Sequence, residues 1–70
     1  YPNPAKDFLF VEFPEAGTYV IRDFLGRLLM QGVAERGKFS IPVRELAEGV
    51  YMIQLRAGLE TRIEKIQVGD

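Results

Sequence analysis

The chain of 70 residues contains no cysteine, no histidine and no tryptophan. Without cysteine it forms no disulfide and offers no thiolate nucleophile, and without histidine it lacks an imidazole base and the commonest metal ligand. No apolar run approaches the roughly 18 residues that a membrane-spanning helix needs. The first residues also lack the pattern of a signal peptide, so we expect any export signal of a longer parent to lie upstream of Tyr1.

The chain also lacks a marked excess of either sign of charge. Nine basic and ten acidic residues give a net charge of −1, and the two signs alternate along the chain. A nucleic-acid surface needs clustered Lys and Arg, so this distribution argues against one. Hydrophobic residues at 47% of the chain are enough for a packed core. Length and composition together predict one small globular domain.

Apolar residues recur at every second position in short segments that Gly, Pro and acidic residues separate, which is typical of half-buried strands. We predict six strands and no helix. They run over residues 8–13, 18–23, 27–33, 38–43, 50–56 and 61–68. Their spacing of about ten residues favours an all-β sandwich or barrel.

The alternation also predicts which strands are central. Leu9, Val11 and Phe13 share one face of the first strand and are predicted to point into the core. The fifth strand alternates most regularly, so we predict that it is central. Pro42 cannot donate to a ladder, which predicts an edge or a bulge in the fourth strand.

Two turns carry specific signals. In "DFLGR" the Asp23 carboxylate is placed to accept backbone N–H groups, and Gly26 is placed where a positive φ is needed. In "LAEGVY", Gly49 and Tyr51 match a tyrosine corner, in which the phenol returns to the backbone just upstream across a Greek-key crossover. Gly17 in "FPEAG" is predicted to turn the chain after the first strand.

The last predicted strand, "TRIEKIQV", departs from simple alternation. Ile63 and Lys65 lie on one face and Ile66 and Val68 on the other, which we interpret as a bulge between Lys65 and Ile66. If this strand lies at a sheet edge, its unpaired backbone groups can accept another strand. We therefore expect strand-mediated dimerisation of the isolated domain.

Catalytic chemistry finds little support in the chain. Ser40 lies in a predicted strand without a neighbouring base. Two acidic pairs, Glu45 with Glu48 and Glu60 with Glu64, are interpreted as solvated surface, because a domain of this size has no deep cleft that would raise a carboxyl pKa. No dense set of oxygen ligands appears. We predict no enzyme activity, no metal site and no cofactor.

Other residues admit two interpretations. Phe8 and Phe10 lie opposite the predicted core face, where they either pack beneath the terminal segment or form an exposed partner surface. Arg27 either covers the hairpin and pairs with a neighbouring carboxylate or makes a recognition contact.

Together, "YPNPA" at the start, "DFLGR", "LAEGVYMIQL" and "KIQV" near the end resemble the C-terminal sorting domain, type A, of type IX secretion substrates. The motifs follow the family's order and spacing over nearly the whole chain. The resemblance implies a seven-stranded immunoglobulin-like sandwich with a Greek key. It also implies that residues 1–5 end a linker to an upstream cargo domain, with Pro2 to Ala5 as a candidate short edge strand, and that residues 6–70 form the sorting domain.

The function implied by the resemblance is a folded signal that carries exported cargo across the outer membrane of Bacteroidota, including virulence factors. The implied route passes through the periplasm to the cell surface or the medium. The implied partners are the outer-membrane translocon and shuttle and a sortase-like cysteine protease. That protease is implied to cleave upstream of Tyr1 and to join the cargo to an anionic lipopolysaccharide, although some domains of the family are retained.

The residues that the resemblance implies for recognition belong to the shared motifs. They are Gly26, Arg27, Gly49, Tyr51, Lys65, Ile66 and Val68. Phe24 and Leu25 are more apolar than the family's turn leads one to expect, which adds either self-association or partner surface, with Phe24 joining Phe8 and Phe10 in the latter. An adhesion or carbohydrate-binding module is the alternative, although the missing tryptophan disfavours sugar stacking, and a plain structural spacer is a third hypothesis.

Overall fold

A computed structural model describes residues 7–69, which form six β-strands and no helix. The strands are β1 (Phe8–Phe13), β2 (Gly17–Asp23), β3 (Leu28–Ala34), β4 (Gly37–Pro42), β5 (Gly49–Ala57) and β6 (Glu60–Val68). The all-β prediction is confirmed, and every predicted strand end lies within one residue of the observed end. The seventh strand expected at Pro2 to Ala5 lies outside the described residues. Among those residues there is no helix with the length and apolar character to cross a membrane.

The strands form two antiparallel sheets. The larger has the order β3-β2-β5-β6 and the smaller pairs β1 with β4. Hairpins join β2 to β3 and β5 to β6, while the other connections pass between the sheets. β5 lies between β2 and β6, which confirms it as a central strand. Pro42 lies opposite Phe8 at the end of the two-stranded sheet, in an edge position that spares the missing N–H. The immunoglobulin-like Greek key stays a prediction.

The core lies between the two sheets, as the alternation predicted. Phe13 and Ile41 of the smaller sheet meet Ile21, Ile53 and Leu55 of the larger one. All of these side chains are almost completely buried. Burial of one such side chain contributes about 1.5–3 kcal/mol, so the core is the main source of stability for a chain without disulfides.

The bulge predicted in β6 is wrong. β6 pairs with β5 without interruption from Glu60 to Val68. Ile63 and Lys65 both lie on the outer face, where 59% of Ile63 is exposed, while Ile66 and Val68 enter the core. The pattern looked irregular because an isoleucine occupies a solvent-facing position. The register shift in the larger sheet lies elsewhere, between Ile21 and Arg22 where β2 pairs with β3.

The turn predicted at Gly17 is also wrong, because this residue is the first of β2. A Cβ at this position would lie 2.0 Å from the carbonyl oxygen of Arg56 in β5. Glycine is therefore needed here for the close approach of two backbones and not for a turn.

Candidate recognition surface

The β2–β3 hairpin is built around Asp23, as predicted. Its Oδ1 accepts the backbone N–H groups of Leu25 at 3.0 Å and Arg27 at 2.9 Å. Gly26 has a φ of +90°, which glycine adopts without strain, and its N–H donates to the carbonyl of Asp23. One carboxylate thus fixes the backbone of the whole turn.

Arg27 pairs with this same carboxylate. Its Nε lies 2.7 Å from Oδ2 of Asp23. The backbone N–H of Arg27, followed by its guanidinium, holds the pKa of Asp23 below its ordinary value. The interpretation of Arg27 as a partner within its own turn is confirmed. Because 72% of its side chain is exposed, the guanidinium also faces solvent, where it can meet a second molecule.

The tyrosine corner predicted at Tyr51 is confirmed. Its ring lies in the core with 7% exposed, and its hydroxyl donates to the carbonyl of Ala47, four residues upstream. This bond ties the connection between β4 and β5 to the first residues of β5. Gly49 opens that strand directly beside the ring, since a Cβ there would lie 3.9 Å from Tyr51.

The end of β6 reaches the same connection. Ile66 and Val68 are 5% and 3% exposed, whereas Lys65 faces solvent. Gly69, with a φ of +91°, follows the strand, and a Cβ on it would lie 1.9 Å from Cγ of Glu48. The backbone at Gly69 therefore packs directly on the residues that precede β5.

Strand pairing brings these three motifs together. Asp23 lies opposite Tyr51 on β5, Tyr51 lies opposite Ile66 on β6, and Gly49 lies opposite Val68. Residues 23–27, 47–51 and 65–69 thus form one end of the four-stranded sheet, which we call the motif end. Residues distant in the sequence share one surface because they occupy adjacent strands.

A surface hollow of about 400 Å³ lies at the motif end. Phe24 and Leu25 at the hairpin tip border it and are 79% and 67% exposed. Leu46, Val50 and the ring of Tyr51 also line it. The hollow therefore combines an apolar lining with the ion pair of the turn, which is a suitable composition for a protein partner.

The residues predicted for recognition divide into two groups. Gly26, Arg27 and Lys65 are exposed on the motif end. The others are wholly or partly buried and shape that end from within: Gly49, Tyr51, Ile66 and Val68. The residues of the first group can contact a partner directly. The residues of the second group position the backbone that carries the first.

Phe8 and Phe10 lie side by side on the outer face of β1. Their ring centroids are 6.5 Å apart, and they are 45% and 79% exposed. The other interpretation, that Phe8 and Phe10 pack beneath the terminal segment, involves residues 1–6, which lie outside the described part of the chain. Phe8 lines a second hollow of about 640 Å³, and this hollow shares Leu29 and Leu46 with the one at the motif end. Phe8 and Phe24 therefore border adjoining hollows, while Phe10 lies apart from both.

Sequence reasoning missed three contributors to this surface. Leu29 and Leu46 join the two hollows, and Glu48 receives the backbone of Gly69. Leu46 and Glu48 belong to a connection without regular alternation. Leu29 is the extra, unpaired residue of the β-bulge in β3, so its side-chain direction could not be derived from the period of the strand.

Comparison with known proteins supports the same interpretation. Residues 1–69 match the family model described as a secretion system C-terminal sorting domain. No curated protein and no solved structure matches the chain. The family comprises sorting signals of type IX secretion and is not an enzyme family; its members interact with the secretion machinery and mark export toward the outer membrane or cell surface. The chain belongs to the family of type IX secretion system C-terminal sorting domains.

Proposed function

We propose that the type IX machinery recognises this sorting domain at its motif end. The observation that carries the proposal is the convergence of the hairpin turn, the tyrosine corner and the end of β6 on one end of one sheet. Exposed Arg27, Lys65, Phe24 and Leu25 provide charge and apolar surface there. Partner surfaces commonly combine a guanidinium with aromatic side chains.

The two groups of recognition residues act differently in this proposal. Arg27 and Lys65 contact the machinery. Tyr51, Ile66 and Val68 hold the exposed residues in position from the core. Truncation of the chain after Glu64 removes two core residues together with Lys65. Each large-to-small core change costs about 2–5 kcal/mol, so loss of sorting in the truncated chain reports unfolding as readily as a lost contact.

Point variants at exposed positions separate these effects. A fluorescent reporter, with a signal peptide before it and residues 1–70 after it, is expressed in a bacterium with a type IX system. We expect Arg27→Ala with Lys65→Ala to retain the reporter in the periplasm, while the unchanged chain delivers it to the surface or medium. The matched control is Arg36→Ala, because Arg36 is also exposed but lies beyond the other end of the sheet, between β3 and β4.

Circular dichroism of the purified variants establishes that each is folded. Delivery of the folded double variant at the unchanged level would refute recognition at the motif end. Retention of the Arg36→Ala control together with the double variant would refute the assignment to this end of the sheet in particular.

The remaining steps of the route are part of the same proposal. The cargo is exported through the inner membrane by its own signal peptide and crosses the periplasm. The outer-membrane translocon and shuttle then carry it out. A sortase-like cysteine protease cleaves before Tyr1 and transfers the cargo to an anionic lipopolysaccharide, so the domain acts as substrate and not as enzyme. Residues 1–5 serve as the end of the linker and residues 6–70 as the sorting domain.

Mass spectrometry of the delivered reporter tests the cleavage step. A reporter that ends before Tyr1 and carries a lipopolysaccharide adduct is the expected product. A delivered reporter that still contains residues 1–70 would instead indicate a retained domain and refute cleavage for this chain.

A carbohydrate-binding or adhesion role is a second candidate, and the exposed pair of Phe8 and Phe10 favours it. Aromatic rings on one face can stack on sugars. Titration of the isolated domain against cell-surface glycans, with Phe10→Ser as the variant, tests this role. Binding that Phe10→Ser abolishes would support it, and absence of binding would leave the pair without this function.

A further inference from the structure

Among residues 7–69, β6 lies at one edge of the larger sheet. β5 is its one strand partner within residues 7–69. Such an edge offers a row of backbone donors and acceptors to an added strand. The edge is nine residues long and contains neither proline nor a bulge, two devices that commonly block pairing.

Hairpin geometry identifies which residues offer these groups. Ala57 and Glu60 face each other across the two-residue loop of Gly58 and Leu59, which makes them a hydrogen-bonded pair. Residues 60, 62, 64, 66 and 68 therefore direct their backbone groups toward β5. The groups that point outward belong to Thr61, Ile63, Lys65 and Gln67. A second strand can dock only in a register that brings outward-directed groups opposite each other.

Charge then selects among the registers in which two copies of β6 pair around a two-fold axis. Centring on Arg62, Glu64 or Lys65 places that residue opposite its own copy, with like charges in contact. Parallel pairing in register has the same fault at all three positions. Centring on Ile63 instead places Arg62 opposite Glu64 of the second copy, twice over.

The geometry at the centre of this register is favourable. Ile63 meets its own copy in a hydrogen-bonded pair, and 59% of its side chain is exposed in the single chain. Arg62 and Glu64 form non-hydrogen-bonded pairs, where side chains approach most closely. Arg62 already reaches Glu64 of its own strand at 3.9 Å, so the two side chains extend along the same edge.

We propose that two copies of this domain associate edge to edge through β6, antiparallel and centred on Ile63, to form a continuous eight-stranded sheet. The charges on this strand disfavour the registers centred on Arg62, Glu64 and Lys65 and favour this one. The contact covers a single pair of strands, which is at the low end of interface sizes, so association is weak and depends on concentration. The proposal rests on the fold and does not depend on the sorting function.

Cysteine cross-linking tests the register directly, because the chain has no cysteine of its own. Ile63→Cys places two thiols on residues whose Cα atoms are about 5.5 Å apart, within the range of a disulfide. Lys65→Cys is the matched control, since its two copies are about 13 Å apart along the strands. We expect mild oxidation of the concentrated domain to link Ile63→Cys and to leave Lys65→Cys monomeric.

Charge exchange provides a second test. Glu64→Arg opposes Arg62 of the second copy, so we expect association to weaken by about tenfold. Lys65→Glu reverses a charge that faces Thr61 in this register and should have little effect. Mixing Glu64→Arg chains with Arg62→Glu chains restores opposite charges at both pairs and should restore association. Sedimentation from about 5 to about 500 µM measures each case, over the range expected for weak complexes.

Arg62→Glu also disturbs the fold, because Arg62 lies 5.1 Å from the ring centroid of Phe13 and donates to the carbonyl of Glu12. Thermal unfolding must therefore show that each variant is folded. The weakened association of Glu64→Arg, measured without the Arg62→Glu partner, must also support the conclusion by itself. A monomer at every concentration would refute the proposal. A dimer that is not cross-linked through Ile63→Cys would also refute it. That result is expected if the two copies exchange their β6 strands or dock through the hollows.

Discussion

Removal of one hydroxyl group tests whether the tyrosine corner holds the motif end together. Tyr51→Phe keeps the buried ring and deletes the bond to the carbonyl of Ala47. Such a bond contributes about 1 kcal/mol net, and the exposed Ala47 can rebind water, which keeps the cost from rising further. For a domain of this size we expect the melting temperature to fall by about 4–8 °C. Tyr51→Ala should cost about 3–5 kcal/mol, comparable with the whole net stability of so small a core.

Urea denaturation and thermal melting of the isolated domain measure the change, with Tyr19→Phe as the matched control. Tyr19 is half-buried, and its hydroxyl donates no hydrogen bond within the described residues. Equal stability of Tyr51→Phe and Tyr19→Phe would refute the structural role of the corner. Reporter delivery adds a functional comparison. A folded Tyr51→Phe domain that still sorts is expected, whereas a folded one that fails would show that the machinery requires the hydroxyl itself.

Three further changes follow from the same geometry. Asp23→Asn should flatten the pH dependence of the free energy of unfolding at acid pH, measured by urea denaturation. Because the pKa of Asp23 is lowered in the folded domain, the carboxylate contributes its full stabilisation above its ordinary pKa of about 3.9. This stabilisation is lost as the pH falls through the lowered pKa. An unchanged profile would contradict this. Gly17→Ala should destabilise the domain more than Gly32→Ala, because its Cβ meets the carbonyl oxygen of Arg56 while that of Gly32 meets the movable ring of Tyr19; equal melting temperatures would count against it. Gly69→Ala should lower the melting temperature and Glu48→Ala should partly restore it by removing the Cγ that obstructs the new methyl group, so a double variant no better than the single one would show that the left-handed backbone is the whole cause.

The strands could be predicted from the sequence because each has one face in the core. Period-two alternation located all six, and the regular pattern of β5 identified it as a central strand. The same rule failed at Ile63, since an apolar side chain on the solvent face looks the same in sequence as one displaced by a bulge. It also failed at Gly17, because the need for glycine there comes from a neighbouring strand and not from the local backbone.

The candidate site was predictable only where its contacts are local. Asp23 bonds within its own turn, and Tyr51 bonds four residues upstream, so both contacts left a signal in a few consecutive residues. The convergence of the three motifs depends on the pairing of β2 with β5 and of β5 with β6. The contact between Gly69 and Glu48 likewise crosses from one strand end to another connection, and spacing in the sequence carries no record of it.

The division of the motif residues into exposed and buried groups has a consequence for sorting. Arg27 lies in the turn between β2 and β3 and Lys65 lies on β6. Their relative position depends on Tyr51 and Ile66, which face each other in the core. A partner that contacts the exposed pair therefore meets the correct spacing only when the sheet is formed. A core of this size supplies a net stability of about 3–5 kcal/mol. Loss of a single buried motif residue is therefore enough to unfold the domain and separate the residues of that surface. Recognition at the motif end would thus distinguish a folded domain from an unfolded one without any contact to the core itself.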